Sequence, residues 1–208
     1  RGASRVTEIV KACPDLGIKT LTLYAFSTEN WNRAAHEVES LMRLFRGYLQ
    51  NKFVSLVENN VKVRFIGDPT PIALDLRRQM ENLEKATDCN DGLNLNIALN
   101  YGGRDEIIRA CKKISEKIDR KEIRVSDIDE KLFEKHLDTC DQKNPDYIVR
   151  TAGEQRISNF LLWQAAYSEF YFTALTWPDF TSEHLRSAIF ELTSRSRTFG
   201  KNKLRNEV

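Results

Sequence analysis

The sequence predicts an α/β fold on a mostly parallel sheet flanked by helices, and three observations carry that expectation. Strand-like apolar runs alternate with helix-period segments along the chain, an order that implies right-handed crossovers between parallel strands. A length of 208 residues with 41% apolar side chains suits a single domain over 1–208 with a sizeable core. Polar and glycine-bearing loops follow the strand-like runs at their carboxyl ends, where open parallel sheets place their ligands.

The elements follow in order. Val6, Ile9, Val10 and Cys13 share one helical face, and Pro14-Asp15-Leu16-Gly17 ends that helix. Leu21 to Phe26 reads as a strand. The spacing of Val38, Leu41, Met42, Phe45, Leu49, Phe53, Leu56 and Val57 predicts a long helix from about Glu37 to Glu58. Val61 to Gly67 is strand-like, and Pro69 with Pro71 marks a turn before a helix over Ala73 to Thr87. Asn90-Asp91-Gly92 turns the chain into the strand Leu93 to Tyr101. After Gly102-Gly103 a helix over Asp105 to Lys117 should face inward with Ile107, Ile108, Cys111 and Ile114. A charged, solvated connection at Asp119 to Arg124 precedes a helix near Asp129 to Leu137. A short buried strand, Tyr147-Ile148-Val149, leads to Arg150, a helix is expected over Asn159 to Ala166, and Glu169 to Thr173 is the last strand. A final helix runs from Ser182 to about Ser196.

Composition narrows the function classes. The net charge is +2, from 32 basic and 30 acidic side chains, so no global field recruits nucleic acid. Cys13, Cys89, Cys111 and Cys140 form no Cys-x-x-Cys pair, which argues for reduced thiols in a cytoplasmic setting rather than disulfides or a zinc site. His36, His136 and His184 lack metal-ligand spacing. No run reaches the length of a membrane span and no signal peptide is visible, so any membrane contact is expected to be peripheral.

Four segments carry chemistry. Residues 150–164 set Arg150, Glu154, Arg156 and Ser158 around the small-residue turn Thr151-Ala152-Gly153. Two planar guanidinium forks and a hydroxyl near an expected helix start suit a diphosphate, although solvated arginines in an ordinary loop would show the same spacing. Ser27-Thr28-Glu29-Asn30-Trp31-Asn32-Arg33 puts an acid, an amide, an aromatic and a cation in one loop; a helix cap and a core plug would use the same residues. Asn100-Tyr101-Gly102-Gly103-Arg104 lets backbone approach closely before a helix N-terminus. Glu169 sits in the aromatic run 167–172 and needs a partner if buried, a role a metal ion would fill.

These four segments, together with Trp177-Pro178-Asp179-Phe180, resemble in order and spacing the cis-prenyltransferase family, most of all its undecaprenyl diphosphate synthase branch. The resemblance covers essentially the whole chain. It implies a six-stranded, mostly parallel sheet, a homodimer, and repeated condensation of isopentenyl diphosphate onto an allylic diphosphate, usually farnesyl diphosphate. The product would be a long Z-configured polyprenyl diphosphate, a precursor of the peptidoglycan lipid carrier. It further implies Arg150, Arg156 and Ser158 on isopentenyl diphosphate, Glu169 on Mg²⁺, and Asn30 at the family's proton-accepting position. Ser27, Thr28, Glu29, Trp31, Arg33 and Ile157 fall at substrate-contacting positions. Because the conjugate acid of an amide is too strong, Asn30 is read as relaying or positioning the proton, with a diphosphate oxygen as its sink. The aspartate-rich motif of trans-prenyltransferases is absent.

Two departures matter. The family begins with a strand and an Asp-Gly-Asn-Gly-Arg loop that holds Mg²⁺ and the allylic diphosphate, and this sequence starts after that region; an omitted segment is the expectation. Ala152 stands where the family often has Gly, which costs about 1 kcal/mol if the backbone there needs positive φ. Two other readings are a non-catalytic prenyltransferase-like subunit and a diphosphate- or lipid-binding module without turnover. Finally, Leu41, Phe45 and Leu49 are expected to form one wall of a product tunnel, with Leu93, Leu95 and Ile97 as another face. The resemblance implies that Leu93 lies near the closed end, although ordinary core packing would also suit that residue.

Overall fold

The computed structural model describes residues 2–195, and these fall into two compact units that interleave along the chain. The larger comprises residues 10–143 and 158–163; the smaller comprises 2–9, 144–157 and 164–195.

The larger unit is built on three strands, β1 (Thr20–Ser27), β2 (Val61–Ile66) and β3 (Leu93–Tyr101), in the order β1-β3-β2 and all parallel. Leu21, Leu95 and Val63 are in register, as are Leu23, Ile97 and Phe65, so one sheet face is a continuous apolar surface. The helix α2 (Ala35–Glu58) lies on that face, with its Phe45 ring edge-on to Phe65 at 6.3 Å. Leu93, Leu95 and Ile97 are buried, as are Val38, Met42, Leu49 and Leu56 of α2. Phe45 is only half-buried and Leu41 is exposed, so the helical wall expected at Leu41, Phe45 and Leu49 is closed only at Leu49.

As an edge strand, β2 would present unpaired N–H groups. The helix α3 (Leu74–Thr87) covers them, since Val63 N–H donates to Thr87 Oγ1 at 3.1 Å and Phe65 N–H to Glu84 Oε1 at 2.7 Å. On the opposite face Asn96 bonds Thr22 and Gln142, and Arg64 donates to the Cys140 carbonyl.

The helix α4 (Gly103–Asp119) buries Gly103, Glu106, Ala110 and Ile114. This differs from the expected face, for Ile108 and Cys111 are exposed. The cause is Glu106, only 1% exposed, which accepts the Tyr101 hydroxyl at 2.6 Å and the Asp138 N–H at 2.8 Å. These bonds rotate the helix so that a satisfied carboxylate faces inward in place of isoleucine. The next helix, α5 (Glu130–Glu134), is capped by Asp129 and is shorter than the expected 129–137.

The smaller unit pairs β4 (Tyr147–Arg150) with β5 (Glu169–Phe172), again parallel, Tyr147 opposite Glu169 and Arg150 opposite Phe172. The described strands thus number five, in parallel pairs, as the six-stranded expectation without its first strand requires, in hydrogen-bonded groups of three and two. The start of α1 (Gly2–Ala12) is tied to the 177–182 turn by Arg5 on the Pro178 carbonyl, Glu8 on the Ser182 N–H and the Trp177 indole on the Gly2 carbonyl. The final helix, α6 (Ser182–Ser194), is capped by Thr181; its expected last residue, Ser196, lies outside the described residues.

The clearest departure is at residues 159–166. The apolar run 160–163 was expected to be helical, but the segment is an irregular strap followed by a short 3-10 turn at Gln164–Tyr167. Ser158, Asn159 and Leu161 all have left-handed backbone, with φ of 49°, 61° and 45°. Side chains in the strap go to separate destinations instead of sharing one helical face. Phe160 stacks on Tyr24 at 4.5 Å, Leu161 enters the cluster of Ile66, Ala98 and Tyr101, and Trp163 packs on Phe133 at 4.5 Å. Tertiary contacts here outweigh helix propensity.

Candidate active site

At the carboxyl end of β1 the chain enters a 3-10 turn, Thr28–Asn32, that presents the acid, amide and aromatic of the sequence motif. Asn30 Oδ1 accepts the Ser27 N–H at 3.0 Å, which fixes the amide plane. Its Nδ2 has no hydrogen-bond partner among the described residues. Asn30 therefore offers its NH₂ donors, with one lone pair of its carbonyl already engaged.

The flanking residues are held by two other amides. Glu29 Oε1 accepts from Asn159 Nδ2 at 2.8 Å, and its other oxygen accepts from Thr28 Oγ1 at 3.2 Å. Burial raises the Glu29 pKa, but the hydrogen bonds from Asn159, its own backbone, Ser27 and Thr28 outweigh it, and the carboxyl sits below its ordinary value. The Trp31 indole donates to Asn100 Oδ1 at 2.7 Å while its ring meets Phe26 edge-on at 5.1 Å. Asn100 is left-handed, φ 51°, and its Nδ2 donates to the Asp68 carbonyl at 2.7 Å. Arg33, at the end of the turn, is exposed.

The glycine pair expected to let backbone approach a ligand instead admits the chain itself. A Cβ on Gly102 would come within 2.6 Å of Thr28 Oγ1 and 2.8 Å of Asn159 Nδ2; one on Gly103 would reach Leu162 Cγ at 2.7 Å. Gly103 N–H donates to the Asn159 carbonyl at 2.7 Å and Arg104 N–H to Asn159 Oδ1 at 2.9 Å. Two donors of the α4 N-terminus are thus already used by the strap. Behind this end lies a polar cluster in which Arg109 grips Asp138 bidentately at 2.7 and 2.6 Å and Asp138 also accepts the Gly67 N–H.

In the smaller unit, Arg150 ends β4, half-buried, with its carbonyl accepting the Thr173 N–H at 3.0 Å. The following turn has left-handed Ala152 and Gly153, with φ of 65° and 70°, so the position at which alanine replaces glycine does need the strained conformation. It is held by Ala152 N–H on the Leu175 carbonyl at 2.7 Å and Gly153 N–H on the Thr173 carbonyl at 2.8 Å. Arg156 is exposed and ion-paired with Glu154, and Ile157 is half-buried. Ser158, in the larger unit, is exposed and has no helix after it, so its hydroxyl has no helix N-terminus to assist it.

Glu169 opens β5, half-buried, with Arg195 at 3.3 Å; Arg195 also donates to the Phe170 carbonyl and to Glu191. The expected partner of Glu169 is therefore an arginine in this structure. Among the described residues no three His, Cys, Asp or Glu side chains gather as a metal site. Mg²⁺ that keeps waters and binds substrate phosphates needs only one or two protein carboxylates, so a single carboxylate such as Glu169 is of the right donor type, with Arg195 competing for one of its oxygens.

The structure thus brings Ser27 to Arg33 together in one turn, and separately places Arg150 and the Ala152 turn at the carboxyl end of the β4–β5 pair, whereas Glu169, opposite Tyr147, lies three residues away at its amino end and not at the carboxyl end expected for it. Asn100 and Asn159 fell within the segments singled out from sequence but were given no role of their own, and Arg195 was not singled out. The signal for Asn159 was present, because adjacent glycines after a strand leave a space that some other segment must fill.

Among comparisons with known proteins, a family model described as "Putative undecaprenyl diphosphate synthase" matches residues 1–200. The isoprenyl transferase of Bacillus subtilis (strain 168) is 47% identical over 199 residues, covering 96% of this chain and 76% of that protein. The isoprenyl transferase of Aquifex aeolicus (strain VF5) is 46% identical over 201 residues, 97% of this chain and 84% of that protein. The crystal structure of lavandulyl diphosphate synthase from Lavandula x intermedia, in complex with dimethylallyl diphosphate, matches with a TM-score of 0.93 and 38% identity over 96% of this chain and 86% of the other. A "probable undecaprenyl diphosphate synthase" from Campylobacter jejuni matches with a TM-score of 0.86 and 34% identity over 96% and 92%. With a family model along nearly its whole length and relatives close to half identical across it, this chain belongs to the cis-prenyltransferase family and is a prenyltransferase enzyme.

Proposed function

We propose that the enzyme condenses isopentenyl diphosphate repeatedly onto an allylic diphosphate, preferably farnesyl diphosphate, in a Mg²⁺-dependent reaction that gives a long Z-polyprenyl diphosphate for cell-wall lipid carriers. The observation that carries this reading is the Asn30 amide, fixed by the Ser27 N–H and offering its NH₂ group from a turn whose Thr28, Glu29 and Trp31 the family resemblance assigns to substrate contact. In this reading Arg150, Arg156 and Ser158 bind isopentenyl diphosphate, and Ile157 with Ser27, Thr28, Glu29, Trp31 and Arg33 contacts substrate. Glu169 would hold Mg²⁺, which supplies charge neutralisation for the departing diphosphate. Asn30 orients the diphosphate oxygen that takes the proton through its NH₂ group, because the conjugate acid of an amide is too strong for the amide itself to serve as the base. The apolar sheet face of Leu21, Leu23, Leu93, Leu95 and Ile97 would house the growing chain; Leu21 and Leu23 remain only half-buried.

The protein is further read as a cytoplasmic homodimer with peripheral membrane contact through its product. No helix among the described residues is long and apolar enough to cross a membrane. The apolar run 160–163 is spent inside the larger unit, while Tyr167, Phe172 and Phe190 are exposed at 74%, 40% and 77%, surface that a second subunit would cover.

Incubation of the full-length protein with farnesyl diphosphate, labelled isopentenyl diphosphate and Mg²⁺, followed by chain-length analysis, tests the activity. A ladder of long products is expected. Absence of any condensation, or a product of one coupling only, would reject repeated elongation. Arg150→Lys and Arg156→Lys should each raise the Michaelis constant for isopentenyl diphosphate, since lysine keeps the charge but loses the fork; unchanged constants in both would remove these arginines from the site.

A further inference from the structure

We propose that Asn100 and Asn159 are positioning residues that together latch the Thr28–Asn32 turn on both sides of Asn30; the catalytic part of this rests on the reading of Asn30 given above. Asn159 holds Glu29 through a 2.8 Å bond and Asn100 holds Trp31 through a 2.7 Å bond, so the residues immediately before and after Asn30 are each fastened by a different amide. Neither amide is free to follow the turn if it shifts. Asn100 is tied back to the Asp68 carbonyl at 2.7 Å, and its own carbonyl accepts the Asp68 N–H at 3.2 Å. Asn159 is tied to the first turn of α4 through both its side-chain and main-chain oxygens.

Both latches have left-handed backbone, at φ 51° and 61°, a conformation that asparagine tolerates better than other side-chain-bearing residues. The two positions therefore require both the dihedral angle and the amide, and few other side chains supply the pair. In a 3-10 turn successive side chains diverge by about a third of a circle, so fixing the residues on either side of Asn30 sets where its Nδ2 points. That is a geometric role exerted without contact with the reacting atoms.

The test uses substitutions that keep the backbone. Asn100→Gly and Asn159→Gly allow the left-handed conformation and remove the amide, and Trp31→Phe removes the indole N–H while keeping an aromatic ring. Each should lower kcat by about tenfold, the worth of one partly buried hydrogen bond, with the Michaelis constant for isopentenyl diphosphate little changed. Trp31→Phe combined with Asn100→Gly should be no worse than Asn100→Gly alone, because the bond that Trp31→Phe breaks is already lost in Asn100→Gly. Full-strength kcat in the single variants, or effects that multiply in the double variant, would overturn the proposal. If Asn100→Gly does not fold, Trp31→Phe and Asn159→Gly carry the same test.

A second readout is independent of turnover. Hydrogen exchange at the Trp31 indole N–H, followed in a ¹⁵N spectrum of the protein without substrate, should accelerate in Asn159→Gly, since loosening Glu29 loosens the shared turn. Unaltered Trp31 exchange in that variant would show two unrelated contacts and defeat the latch. Altered exchange in a protein with no condensation activity would leave the latch standing and reject the function proposed for the turn.

Discussion

Replacing Leu93 with alanine separates a tunnel floor from ordinary core. Leu93 is 3% exposed, opens β3 opposite Val61, and lies at the strand end remote from Tyr101. At about 3.3 Å per residue the nine-residue strand is close to 26 Å from end to end, so Leu93 sits far from the turn that carries Asn30. Removing three carbons costs about 2.4 kcal/mol in transfer free energy. A sealed cavity would carry the loss toward about 5 kcal/mol, whereas space opening onto an apolar channel adds little. The tunnel reading therefore expects a loss of about 2–3 kcal/mol, a fall of roughly 5–10 °C in melting temperature for a chain of this size. It also expects longer products with the first condensation nearly unaffected. Chain-length profiles of variant and parent are run beside calorimetry. A loss near 5 kcal/mol with an unchanged product distribution would show that Leu93 is core alone and refute the assignment of this sheet face to the product.

Three other outcomes follow from named contacts. Ala152→Gly relieves a left-handed alanine worth about 1–2 kcal/mol but adds about 0.4–1 kcal/mol of unfolded-state entropy, so a net gain of about 0.5–1 kcal/mol is expected in a melt; a loss would mean that the Ala152 conformation is not strained. Burial holds the Glu84 pKa above the ordinary carboxyl range, so the folded state keeps the proton longer than the unfolded state and stability is lost as pH rises from the ordinary carboxyl value through the raised one. Glu84→Gln, which still accepts the Phe65 N–H, should melt above wild type on the high-pH side of that window, and parallel pH profiles would contradict this. Glu169→Gln should weaken Mg²⁺ dependence without unfolding, checked by metal titration of activity beside circular dichroism; a wild-type titration curve would free Glu169 from the metal.

The sequence was most informative where one period dominated. The strand Leu93–Tyr101 has the expected bounds because turn residues flank it on both sides and its apolar residues alternate along one sheet face. The helices at 35–58 and 74–87 begin within two residues of their expected starts for a similar reason. Periodicity failed where a polar group is buried. Glu106 looked like a surface residue of α4, and only its bonds to Tyr101 and Asp138 show why it is 1% exposed. The strap after Ser158 failed differently, since a run such as Phe160 to Trp163 has the composition of a buried helix and nothing local to forbid one. At the site, the residue types of the Ser27–Arg33 turn were legible. The amides that hold it were not, because Asn100 and Asn159 are distant in sequence from the residues they bind.

That concentration of unusual backbone also bears on how the active segment is specified. Of the eight non-glycine residues with positive φ among the described residues, Ala152, Ser158, Asn159 and Leu161 all lie within the stretch that also carries Arg156. Each left-handed residue costs about 1–2 kcal/mol, so the stretch cannot select this path by local preference. The path is imposed by bonds from elsewhere: the Leu175 carbonyl on Ala152, the Gly103 and Arg104 N–H groups on Asn159, and the apolar cluster on Leu161. Strain of this kind clusters in functional segments, and a path that local preference disfavours stays put only while its surroundings are intact. Substitutions in those surroundings, at Gly103 or Ala98, should therefore be read through the geometry of residues 158–161, and those at Thr173 or Leu175 through the Ala152 turn, before any direct role in the reaction is assigned to them.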